Sequence, residues 1–439
     1  KPSPVPAPSP VPGAPTPPPG AKEEELPPPR RQPLAEPQRV PEDLLPSRAP
    51  TQAPPTVFVG PSLFNPPAPQ GWLTVTPTFT LSAAYDDNIF LVSQNRRSDF
   101  IVGFTPGVTA AVQRPGFRLL AGYNVTGEVF IKETDLSDFG KEQNFFADLV
   151  YDVSPQVTFN LSEQFVYSRD SNSVTSGGVS VGRRDSMRNT LTPQLRWQAD
   201  PSTGVSLVGS YTLIRFLSGR EGDASQSDTG EGDSDTYRLA LGVDRRLTAR
   251  LTGLAAFEFG YFHFERESSA VTYTPTVGIS YEVTPTLRAS VGGGVSVVDR
   301  DSDTSLSPVL RASATQVFKF GVLQIGYDRA VTAETTGLSD RQAVFASFVV
   351  PALTRGLQLA FTPRYTIVDS DVAGNTSTNA ETLKTLTLTL QATYQIARNI
   401  SLIGSYTYYR QTTTDKSIGD IDQNRVFFGV QYAFPINFY

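Results

Sequence analysis

The 439-residue chain has no cysteine, one histidine, one methionine and two tryptophans. Without cysteine it can form no disulfide, no thiolate metal site, no covalent c-type haem linkage and no cysteine-borne lipid anchor. No run of 18 apolar residues occurs, so no helix of the chain can span a bilayer. That absence does not touch strands, which need only alternate residues to be apolar. A net charge of −6 is mild for this length and of the wrong sign for nucleic acid. No phosphate-cradling glycine loop and no metal-ligand spacing stands out, so no cofactor and no metal are expected. The run from Asp299 to Asp303 has calcium-like acidic spacing but lacks the glycine-containing loop and distal glutamate of a calcium site.

What the chain does have is uneven. Of its 36 prolines, 24 fall within residues 1–70. Proline withholds backbone donors and favours the extended polyproline II form. Residues 1–70 therefore read as a disordered or semi-rigid spacer, and residues 71–439 as a separate body.

From Gly71 onward the chain alternates with a period of two. Val271, Tyr273, Pro275, Val277, Ile279, Tyr281 and Val283 interleave with Thr272, Thr274, Thr276, Gly278, Ser280 and Glu282. This is the mark of a strand with one apolar and one polar face. The connections alternate in length. Eight short ones, such as Gln113-Arg-Pro-Gly, Asp200-Pro-Ser-Thr-Gly and Ala397-Arg-Asn, carry the residues tight turns need. Nine longer polar ones lie between them, among them Asp87 to Arg97, Asp170 to Asp185, Asp299 to Ser305 and Glu334 to Ser339.

Seventeen connections predict an all-β fold of about 18 antiparallel strands, with 16 to 20 as the range. The strands run to about a dozen residues, longer than those of propellers and sandwiches and close to what a tilted membrane strand requires. The expected architecture is a transmembrane β-barrel with short turns and both ends of the barrel on one side. The bacterial outer membrane is the expected location, with the N-terminal segment and the C-terminus in the periplasm. Lipid and the outer-membrane assembly machinery are the expected partners, and residues 1–70 could meet a periplasmic one.

If the apolar face meets lipid, the polar face lines the interior. Arg118, Glu128, Arg188, Arg196, Arg238, Arg288 and Arg364 become pore-lining candidates. Arginines outnumber acids in that set. Either they pair with carboxylates across neighbouring strands, or they bias the pore toward anions. His263 shares the parity of Phe257, Phe259 and Tyr261, which places it outward in an aromatic rim. No second histidine exists to activate a serine, so no enzyme is expected.

The first strand runs into Tyr85, Asp86, Asp87, Asn88, Ile89 and Phe90, a segment that resembles the β-barrel porin 2 family of outer-membrane proteins. The resemblance implies a porin-like barrel associated with exopolysaccharide and exosortase gene clusters, and a passive conduit for exported polysaccharide. Two other readings stay open: a non-transport barrel that acts through its surface loops, and a sheath for a partner such as a cytochrome. At the other end, Gly429 is followed by Tyr432 and Phe434, three and five residues on, which resembles the C-terminal assembly signal of outer-membrane barrels. Here Pro-Ile-Asn-Phe-Tyr extends beyond it. The last strand must pair with the first, because an open edge in lipid leaves backbone groups unsatisfied.

Overall fold

A computed structural model describes residues 71–439 except 171–177, 181, 218–231, 266, 301–302, 335–336, 355, 370–381 and 415–418. The reading of residues 1–70 as a spacer falls outside the described residues.

The alternating segments become strands, each hydrogen-bonded to its neighbours in the chain. In order they are β1 (Leu73–Asp86), β2 (Asp99–Arg114), β3 (Phe117–Phe130), β4 (Asp138–Ser154), β5 (Val157–Asp170) and β6 (Arg183–Asp200). Next come β7 (Thr203–Phe216), β8 (Ser234–Arg246), β9 (Leu251–Phe264), β10 (Ala270–Thr284), β11 (Leu287–Arg300) and β12 (Asp303–Phe318). The last wall strands are β13 (Gly321–Glu334), β14 (Gly337–Thr354), β15 (Leu357–Asp369), β16 (Thr382–Ala397), β17 (Ile400–Thr413) and β18 (Ile421–Ala433).

Every neighbouring pair is antiparallel, and β18 returns to β1 with Tyr432 opposite Phe79 and Arg425 opposite Asp86. The result is a closed 18-stranded barrel with no free edge. The C-terminal extension has a defined place. Phe434 donates its backbone N–H to Pro77 at 3.0 Å, and β19 (Ile436–Phe438) then pairs with Leu73–Val75, prolonging the seam.

Two of the nine longer connections are corrected. Arg300 pairs directly with Asp303, and Glu334 with Gly337, so the expected loops 299–305 and 334–339 are mostly strand. Their polar residues had hidden the continuing ladder.

Alternation separates the two faces. In β16, Leu386, Leu388 and Leu390 point outward, while Thr385, Thr387 and Thr389 are buried inside. Hydroxyls pair across the inner face, as in Thr105–Thr126 at 2.9 Å, Thr274–Ser296 at 2.9 Å and Ser290–Ser313 at 2.7 Å. Each such pair satisfies polar groups that would otherwise need water.

The outer face is apolar between two aromatic levels. On the short-turn side stand Tyr151, Trp197, Tyr281, Tyr394 and Tyr432, all exposed. On the other side, tyrosine hydroxyls donate to polar side chains where the apolar surface ends. Tyr211 reaches Asp235 at 2.9 Å, Tyr327 reaches Gln342 at 3.3 Å and Tyr406 reaches Asn424 at 2.8 Å. Tyr273 and Tyr281 on β10 mark the two levels. At about 3.4 Å per residue and a tilt of about 40°, they enclose roughly 20 Å, close to the apolar band of an outer-membrane barrel.

Candidate functional site: the lumen and its mouth

All seven charged candidates lie on strands with their side chains on the inner face, in parity with neighbours such as Asn144, Thr274 and Thr393. Their partners differ. Arg196 meets Asp244 at 3.1 Å, Arg238 meets Glu258 at 3.2 Å and Arg288 meets Glu282 at 2.6 Å. For these three, pairing across nearby strand positions describes the geometry. Arg188 and Arg364 instead donate Nε to the hydroxyls of Thr190 and Thr366, each at 3.3 Å. Arg118 stands opposite Gln113 and Val150 near the short-turn end.

Glu128 belongs to a cluster that sequence reasoning did not assemble. Arg425 contacts Glu128 at 3.4 Å and Asp170 at 3.0 Å, and Arg183 contacts the same two acids at 3.8 and 3.4 Å. Four side chains from β3, β5, β6 and β18 thus meet inside the barrel, each nearly hidden from solvent. Charges so placed are tolerable only when paired and hydrogen-bonded. Arg425 could have been found by parity, since it lies two residues before the inward Phe427; its partners could not.

The segment Tyr85–Phe90 folds the first loop into the mouth. Tyr85 faces outward, its ring 5.0 Å from that of Phe100. Asp86 points inward, accepting from Gln423 Nε2 at 2.7 Å and from the Asn88 backbone N–H at 2.9 Å, a local turn that ends the strand. Asp87 accepts both the backbone and side-chain N–H of Asn424, each at 2.7 Å. Asn88 is fully buried and bonds to Val92 twice and to the carbonyl of Asp422. Ile89 and Phe90 then pack with Phe130 and Phe427. Leu91, at φ 53°, adopts a left-handed backbone and buries its side chain against Tyr409 and Ile421.

Two further elements enter the lumen. Residues 178–180, between β5 and β6, dock on β17: Ser180 N–H donates to Gln411 Oε1 at 2.8 Å, and Tyr409 Oη donates to Gly178 O at 3.0 Å. The β13–β14 ribbon also leans inward. β13 leaves β12 beyond Arg329, and Val331, Ala333 and Leu338 pack against Phe262, Phe264 and Val298. Its carbonyls are caught by arginines, Val331 O by Arg238 at 3.3 Å and Leu338 O by Arg300 at 3.4 Å.

His263 is outward and exposed, with Nδ1 3.1 Å from Ser269 Oγ. Asp235 stands opposite it in the ladder, but that carboxylate serves Tyr211 and Arg215. Gly429 faces inward on β18, while Tyr432 and Phe434 face outward and are exposed beside the seam.

No family model matches the chain, and no curated protein does. Among solved structures, the chain is similar to Pseudomonas aeruginosa OpdQ at 11% identity and TM-score 0.44, with 83% of this chain and 98% of that one covered. Acinetobacter baumannii OccAB4 is similar at 12% identity and TM-score 0.43, with coverages of 82% and 98%. The outer membrane protein OpdK of Pseudomonas aeruginosa gives 12% and 0.43, with coverages of 82% and 99%. Likeness this low carries no argument about what the chain does, which rests on its own barrel.

Proposed function

We propose that the chain is an outer-membrane channel, a passive conduit whose cargo is exported polysaccharide. The observation that carries the channel reading is the pairing of a closed wall and an apolar outer band with an inner face of hydroxyls, amides and paired charges. A barrel of 18 strands is too wide for its wall side chains alone to fill. The elements folded into its mouth set how wide the passage is. The sequence carries no phosphate-cradling glycine loop, and in this reading movement follows the concentration gradient. The cargo comes from the resemblance of Tyr85–Phe90 to the porin 2 family. In this reading the short turns and both ends of the barrel face the periplasm, and residues 1–70 extend there to meet a partner.

The test is conductance in planar bilayers, with and without residues 1–70. Discrete channels are expected in both forms, and passage of neutral oligosaccharides should follow their size. No channel in either form would overturn the reading and favour a surface-interaction or sheath barrel.

A further inference from the structure

We propose that the lumen contains an oxyanion-binding station built on Arg341 and Arg364, which receives the carboxylate, phosphate or sulfate groups of an acidic solute or polymer. The proposal rests on the channel reading and adds the chemistry of the cargo.

Arg341 projects from β14 where the inward-leaning ribbon begins, and it is only 1% exposed. Its Nη2 donates to Asp328 at 2.7 Å, but Nε and Nη1 have no acceptor among the described residues. On the adjacent strand, Arg364 donates Nε to Thr366, and its Nη2 also has no acceptor among the described residues. The foremost charged neighbour of Arg364 is Arg341, ahead of Asp328 and Glu334. Arg188, from the β6 side, also lies in the field of Arg341, although Glu334 is its foremost charged neighbour.

Two features of this arrangement are costly. Cations are gathered away from water, and guanidinium N–H groups are left without partners. Elsewhere in the lumen each arginine of a pair has its own carboxylate, as Arg196 has Asp244 and Arg238 has Glu258. Arg341 likewise has Asp328, but at Arg364 that matching stops: among the described residues its hydrogen-bond partner is the Thr366 hydroxyl, not a carboxylate. Water could accept the N–H groups but would leave the repulsion between the cations. A neutral sugar hydroxyl has the same shortcoming. An oxyanion supplies several acceptors and the missing negative charge, and a planar carboxylate matches the guanidinium fork.

The experiment records current through the full chain in planar bilayers while oligogalacturonate, inorganic polyphosphate, dextran sulfate or neutral maltooligosaccharides are added. Acidic oligomers are expected to block at concentrations at least about tenfold below neutral ones of similar length, a ratio equivalent to about 1.4 kcal/mol. Which acid blocks best identifies the oxyanion. Arg364→Gln should remove most of that difference and shift the reversal potential in a KCl gradient toward cations. Arg341→Gln should do the same; if stranding Asp328 prevents its folding, Arg364→Gln carries the test. Equal block by acidic and neutral oligomers, or an unchanged Arg364→Gln channel, overturns the station. Absence of any current overturns the channel reading instead. Calorimetric titration of the detergent-solubilised full chain with the same oligomers then decides the station, with no binding counting against it.

Discussion

Asn88, on the first loop, donates its side-chain amide to the carbonyl of Asp422, on the last wall strand, at 2.9 Å. The contact joins residues 334 positions apart and ties the inward fold of the first loop to the closing strand. Asn88→Ala removes this bond and the two to Val92, a loss of about 2–3 kcal/mol at roughly 1 kcal/mol per bond. The variant should still insert, and its single-channel conductance should rise as the loop leaves the mouth. An unchanged conductance would mean that this loop does not limit the passage.

Tyr409 and Gln411 hold residues 178–180 against the wall. Replacing them together, Tyr409→Phe with Gln411→Leu, leaves Ser180 without its side-chain acceptors and should free the segment. Because the chain has no cysteine, a single Val179→Cys reports on this directly. Val179 is 2% exposed, so a maleimide should label it slowly in the parent and many times faster with the double replacement. Equal labelling would show that these bonds do not hold the segment.

The seam depends on β18 and the residue that follows it: Tyr432, outward on β18, and Phe434, just beyond its end, are both exposed on the short-turn side. Changing both to Ser should block insertion, seen as loss of the compact, heat-sensitive form on cold gel electrophoresis. Normal assembly of that variant would show that neither aromatic is needed for closure.

Glu163 is out of keeping with the outer face. It stands opposite Ala147 and Leu191, with Leu161 and Phe165 flanking it on β5, well below the upper aromatic level, and its carboxylate accepts from Asn189 Nδ2 at 3.4 Å. A charged group facing lipid destabilises a barrel, less for a carboxylate than for a cation. Glu163→Leu should therefore stabilise the protein by about 1–2 kcal/mol in urea titrations in vesicles. A loss of stability would show that this position meets something other than acyl chains.

The sequence by itself determined most of the strands, their approximate number and the face that most of their side chains take. These follow from a period of two and from turn residues, both local properties. Parity alone assigned Arg196, Arg238 and Arg364 to the inside and Tyr432 and Phe434 to the outside. It did not reveal the inward lean of the β13–β14 ribbon, because a strand in the wall and a strand leaving it carry the same alternation. The meeting of Arg425 with Glu128, or of Arg341 with Asp328, was likewise hidden. Charge pairing inside a barrel is set by closure, stagger and inward-folded segments, which bring together side chains from strands far apart in sequence. The tertiary structure alone decided which carboxylate each of these arginines meets, and that Arg364 meets a hydroxyl instead.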